Sequence, residues 1–338
     1  MEGNKLCAPF VVLTLAVMSV AVVGQTKEWP PLTPDGRPDL HGVWLNQSAT
    51  PLERPKGLEG RQFLTDAEVA ELKKRAARLF DVNTNSDFPG ADTFFHALLA
   101  NPDKFLNPNA TGNATVMVER TIDNRTSLIV DPTDGQIPPM TAAGRERLAR
   151  SPAPNASGQN RAAGPEDLSS AMRCITYGTP RIGVQNINAA GPMGYYQILQ
   201  TPNYVTLTLE AIHETRIIPL DGRPHLPQGL RQWSGDSRGR WEGNTLIVET
   251  TNFSPKSMFM GSAENLRLIE RFTRVAADTL RYEITVDDST TWTRPWTVEI
   301  HLKRTDDKIY EYACHEGNYH TMEGILGAAR ADETAGQK

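Results

Sequence analysis

Leu280 to Val286, LRYEITV, decides the fold. Leu280, Tyr282, Ile284 and Val286 alternate with Arg281, Glu283 and Thr285. A period of two puts the first set on one face of a strand and the second on the other, one wall dry and one wet. The same grammar recurs on either side. Val298, Ile300 and Leu302 alternate with Glu299, His301 and Lys303, and Val205, Leu207 and Leu209 alternate with Thr206 and Thr208. Tyr195–Leu199, His213–Leu220, Asn244–Thr251 and Ile309–Cys314 read as further strands. Short alternating strands with turn signals between them specify a mainly β protein, an antiparallel sandwich or barrel.

Upstream the pattern changes. Thr65-Asp66-Ala67-Glu68 is a capping-box pattern, and Val69, Leu72, Ala76 and Leu79-Phe80 make an apolar stripe at helical spacing, so a helix runs to Phe80. Phe94–Leu106 and Thr141–Ala149 read as short helices, and Thr115–Val130 as two strands turning at Asp123-Asn124. Ser151–Gly164, rich in Pro, Ala, Ser, Asn and Gly, reads as a linker. The expected layout is a signal peptide over 1–24, an N-terminal strand and helical embellishment with its linker over 25–164, a β-barrel domain over 165–328 and a frayed tail over 329–338.

The leader reading rests on Lys5, the apolar run Ala8–Val23, and small residues before a cut near Gln25. It predicts a periplasmic or secreted protein with no stable membrane span after cleavage. A net charge of -5 argues against a nucleic-acid footprint, which needs a clustered basic face. Cys7 would leave with the leader, so Cys174 and Cys314 remain, either as a disulfide or as two buried thiols.

The chemistry concentrates in Ile212–Glu249, IHETRIIPLDGRPHLPQGLRQWSGDSRGRWEGNTLIVE, read as two strands joined by a long polar loop. Within it Gly235-Asp236-Ser237-Arg238-Gly239 matches a nucleophile elbow in letters, but the elbow needs a helix after it and Trp241–Glu249 reads as strand. A tight loop is the plainer reading, with Asp236 bonding backbone amides and Gly239 at positive φ. Glu270 falls on the apolar face of Leu266–Phe272, with Leu266, Leu268 and Phe272. Burial raises the pKa of a carboxylate and suits it to acid–base work. The alternative is a buried ion pair with Arg216, Arg238 or Arg240. The histidines show no zinc-ligand spacing, although His213, His225 and His315 could meet in space. No P-loop or dinucleotide fingerprint is present, so no cofactor is expected.

Several segments carry a resemblance: PDGRPDLHGVW (34–44), IHETRIIPLDGRPH (212–225), GDSRGRWEGNTLIVETTNF (235–253), ERFTRVAADTLRYEITVDD (270–288) and YACHEGNY (312–319). Together they resemble a family of exported bacterial proteins without an established reaction, which implies export and no mechanism. The Gly42-Val43-Trp44 step and the strand-rich C-terminal half resemble lipocalin-like barrels, where such a Trp plugs one end.

Two functions follow as expectations. One is an exported lyase, isomerase or hydrolase doing metal-free acid–base chemistry on a small, partly apolar molecule. Glu270, His213 and Asp236 would be catalytic, Arg216, Arg238 and His225 would hold substrate, and Tyr196, Trp241 and Trp292 would wall the pocket. The other is a lipocalin-like protein that binds a small hydrophobic ligand, with the same polar residues serving as structural ion pairs.

Overall fold

The structure is a computed structural model that describes residues 29–79, 92–100, 120–150, 168–176 and 194–336. The expected leader (1–24) and linker (151–164) lie outside them, as do Phe80, 101–106 and 115–119.

Among the described residues ten strands form one antiparallel sheet: β1 (Gly42–Leu45), β2 (Ile129–Asp131), β3 (Tyr195–Gln200), β4 (Tyr204–Leu209), β5 (Thr215–Pro219), β6 (Asp236–Glu242), β7 (Thr245–Thr251), β8 (Arg267–Ala276), β9 (Thr279–Asp287) and β10 (Trp296–Thr305). Their order is β5-β4-β3-β1-β10-β9-β8-β7-β6, with β2 added on β10. The N-terminal strand β1 lies between β3 and β10, so the sheet draws on both sides of the linker. The period-2 reading holds residue by residue: Leu280, Tyr282, Ile284 and Val286 are all buried, and so are Trp296, Val298, Ile300 and Leu302.

β5 and β6 end the strand order, with no ladder between them, yet the sheet curls until they touch. A Cβ on Gly239 would lie 2.6 Å from Leu220 Cδ2 and 2.9 Å from Ile218 Cγ2. Arg216 of β5 likewise reaches across to Glu270 of β8. The concave face therefore packs on itself as the main core, which includes Leu207, Ile218, Val248, Leu268, Ile284 and Ile300. At 25 cal/mol per Å², burial of side chains of this size contributes about 1.5–3 kcal/mol each.

Among the described residues four α-helices accompany the sheet: α1 (Asp66–Leu79), α2 (Asp92–Leu99), α3 (Ala142–Arg150) and α4 (Cys314–Gly336). The capping box is present. Thr65 Oγ1 accepts from the Glu68 N–H, and Glu68 Oε2 accepts from the Thr65 N–H at 2.8 Å. α1 and α2 share a second core with Leu58, Leu64 and Ile122.

Four expectations are corrected. Asp236–Glu242 is strand, because its polar residues face outward while Ser237, Gly239 and Trp241 face the core; the turn falls instead at Gly243, with φ +56°. Gly239 is there for close approach to Ile218 and Leu220, not for a positive φ. Ile309–Cys314 pairs with no strand; its amides go to side chains instead, Tyr310 N–H to Glu210 Oε2 and Tyr312 N–H to His213 Nε2. The tail up to Gly336 continues α4, in keeping with the good helix formers Ala328, Ala329, Arg330 and Ala331.

Candidate functional site

Glu270 faces the concave side, as its place in the β8 alternation requires, and none of its surface is exposed. Arg216 Nη1 and Nη2 donate to its two carboxylate oxygens at 2.7 Å each, the fork-to-fork geometry that suits guanidinium to carboxylate. Tyr282 Oη donates to Oε1 at 2.5 Å, and Thr250 Oγ1 stands 3.4 Å from Oε2. Ser237 Oγ joins the network through Thr250 Oγ1 at 2.9 Å. Tyr196, buried on β3, meets the Tyr282 ring edge-on at 6.3 Å. Burial, followed by the neighbouring carboxylate, pushes the Tyr282 phenol well above its ordinary range. Burial pulls the Arg216 pKa down, but the charge and hydrogen bonds of Glu270 outweigh it, so the net shift is upward.

Asp236 lies on the convex side and is 5% exposed, covered by the polar loop. Its Oδ2 meets His225 Nδ1 and accepts from the Leu226 N–H, each at 2.9 Å, and its Oδ1 accepts from Arg238 Nη1 at 2.6 Å. Arg238 Nε donates to the Pro224 carbonyl and Asn252 Nδ2 to that of Leu226. These bonds pin the loop onto the start of β6, so the expectation that Asp236 bonds backbone amides holds in kind.

His213 occupies a third place. It and Ile212 both have positive φ, +52° and +58°, an uncommon conformation for a β-branched residue such as Ile212. His213 Nε2 accepts from Tyr312 N–H at 3.0 Å. The adjacent Glu214 accepts from Thr176 Oγ1 at 2.7 Å and from Ser234 Oγ. Burial raises Glu210 against the opposing effects of the Tyr310 amide and His213. Cys174 and Cys314 are bonded, S–S 1.98 Å, which ties residues 168–176 to the start of α4.

Glu270, His213 and Asp236 thus sit in three separate networks and share no hydrogen bond. Both terminal nitrogens of Arg216 are engaged by Glu270, and Arg238 is held by Asp236. The aromatic candidates are spread along the concave face. Trp241 is in register with Leu246 and Phe272, whereas Trp296, against which Trp292 packs, is in register with Val286 and Leu268. Four residues of β8 separate those levels, about 13 Å at 3.3 Å per residue. Ser237 faces Thr250 inside the sheet, with strand after it. Among the described residues no three His, Cys, Asp or Glu side chains gather as a metal site requires, and no helix is long and apolar enough to cross a membrane.

Sequence reasoning missed Tyr282, read only as an apolar inward residue, and the clamp on Trp44. Trp44 is fully buried, and its Nε1 donates to the Leu40 carbonyl at 3.0 Å. The guanidinium of Arg274 lies 5.7 Å from its ring centroid and that of Arg304 6.0 Å, cation–π distances. The inward position of Arg274 in β8 was a legible signal for it.

No family model matches the chain, and no curated protein does. Among solved structures it is similar to a secretary abundant heat soluble (SAHS) protein from Ramazzottius varieornatus, at 11% identity over 33% of this chain and 70% of that one. The TM-score is 0.23, a level that carries no argument about fold or function.

Proposed function

We propose that this protein is an exported, non-catalytic, lipocalin-like binding protein that holds a small hydrophobic ligand on the concave face of its curled sheet. One observation carries the reading: both oxygens of the buried Glu270 are committed to Arg216 and Tyr282. A carboxylate so engaged has its charge balanced in place and both oxygens already taken by donors from β5 and β9, so the network serves as a structural brace. The concave face is an apolar core closed at one end by the clamped Trp44, which suits a ligand that enters by parting the core side chains at the opposite end. Export is supported by the Ala8–Val23 run and by the Cys174–Cys314 disulfide, a bond that persists in oxidising compartments. Membership of the exported bacterial family rests on the segments quoted above.

The test is titration of the purified mature chain with the neutral hydrophobic fluorophore N-phenyl-1-naphthylamine. Saturable binding at one site per chain, kept by Glu270→Gln wherever that variant is folded, supports the reading. No saturable binding refutes it. So does a reaction that the wild type catalyses and a folded Glu270→Gln variant does not.

A further inference from the structure

Trp292 and Trp296 sit together at the end of the concave face opposite Trp44, with ring centroids 5.6 Å apart and planes at 76°. Phe259 stacks on Trp296 at 6.4 Å and meets Trp292 edge-on at 6.3 Å. Both indoles are buried, at 1% and 0% exposure, and neither Nε1–H has a hydrogen-bond partner. The Trp44 indole N–H is given a carbonyl, whereas that of Trp241, at another level of the concave face, is also without a partner. A buried donor without an acceptor has lost its water without replacement, and a neighbouring ring face is only a weak substitute. Here two such donors fall in one cluster.

The cluster is covered by a tight turn, which α3 holds through Arg147 Nε, donating to the Gly261 carbonyl at 2.9 Å. Phe259 lies at the base of a two-residue turn closed by mutual backbone bonds between Phe259 and Ser262, with Met260 at φ +49° and Gly261 at φ +83°. Met140 and Met260 pack beside it, half-buried, and thioether side chains adapt readily to a new neighbour. The charge nearby is negative. Asp288, whose carbonyl accepts the Trp292 N–H, is 5% exposed. Its carboxylate accepts from Ser262, Thr290 and Thr291, and these bonds hold its pKa below the ordinary value against the upward push of burial. A carboxylate ligand head would meet repulsion there, and a neutral acceptor would not.

We infer that the paired indole N–H groups of Trp292 and Trp296 form the polar anchor of the ligand site and select neutral apolar molecules bearing an acceptor oxygen, such as ketones or esters. Phe259 yields to admit them. This rests on the binding-protein reading and names its ligand class.

The experiment follows the indole N–H signals of the 15N-labelled full chain while acetophenone, and in parallel its hydrocarbon analogue ethylbenzene, is added. Trp292→Phe and Trp296→Phe assign the two signals. The expected result is a downfield shift of both with the ketone, an affinity about tenfold or more above that for the hydrocarbon, which corresponds to 1.4 kcal/mol, and loss of that preference in either variant. Phe259→Ala should speed entry while keeping the preference. Equal affinity for the two compounds, or a ketone that leaves both indole signals unmoved, overturns the inference. The wild-type comparison of affinities decides the matter even if neither Trp variant folds. If N-phenyl-1-naphthylamine binds but the ketone has no advantage, only this inference falls. If none of the three probes binds, the binding-protein reading falls with it.

Discussion

Replacing Glu270 by Gln should be among the most damaging single changes to the sheet. The amide keeps the shape of the carboxylate but removes its charge and turns one acceptor into a donor. Arg216, 8% exposed and held by two bonds of 2.7 Å, would then be a buried cation without its counter-ion, with an NH2 group facing its own N–H donors. The Tyr282 hydroxyl would also compete for the one remaining carbonyl oxygen. Breaking a buried pair by removing one partner costs about 3–5 kcal/mol, whereas replacing both partners with apolar groups of similar volume is often neutral or stabilising by about 1–4 kcal/mol. The measurement is urea unfolding of wild type, Glu270→Gln, Arg216→Met and the double variant Arg216→Met/Glu270→Leu. Each single variant should lose about 3–5 kcal/mol, a fall in Tm of roughly 6–20 °C for a chain of this size. The double variant should recover most of that loss, and a strong non-additive coupling should appear in the cycle. Single variants within 1 kcal/mol of wild type, or strictly additive losses, would show that the pair braces nothing.

Three further outcomes can be checked. Reducing the Cys174–Cys314 bond, which spans 140 residues, should cost about 4–5 kcal/mol in the chain-entropy model, read as a drop in Tm on adding reductant that is absent in Cys174→Ser/Cys314→Ser. The α1 cap should be acid-labile: the hydrogen bond from Arg61, then those from Thr65, lowers the Glu68 pKa from 4.5 to about 2. A depressed folded pKa means the contribution is present above about pH 4.5 and is lost as pH falls toward 2, so amide protection in α1, corrected for the intrinsic exchange rate, should fall over that window and not in Glu68→Gln, whose amide oxygen can still cap but does not titrate. Asp236→Asn should weaken its bonds to Arg238 and His225 and free the loop from Asp221 to Gly235, detected as faster proteolytic cleavage there while the β-sheet circular dichroism is unchanged.

The inward set of each long strand was legible before any coordinates, because the alternation of Cβ directions is a property of the local backbone alone. The same rule placed Glu270 among Leu268 and Phe272 on the buried side. Local alternation misled where extended chain lacks a partner strand: Ile309–Cys314 has the pattern, but its amides are claimed by Glu210 and His213. It also hid β6, whose outward residues Asp236, Arg238, Arg240 and Glu242 look like loop chemistry until their neighbours are known. Cys174 and Cys314 could be counted as a pair, but their 5.9 Å Cα separation is a product of the fold.

Composition and periodicity by themselves determined that this is an antiparallel, mainly β chain with one acid turned toward its core. Only the tertiary structure decided that Arg216 answers that acid, that His213 and Asp236 belong to other networks, and that Trp292 and Trp296 share one end with their N–H groups unmatched. The reason is physical: which face a side chain takes is set within a few residues, whereas its partner is set by how far the sheet curls, and β5 meets β8 although six steps separate them in the strand order.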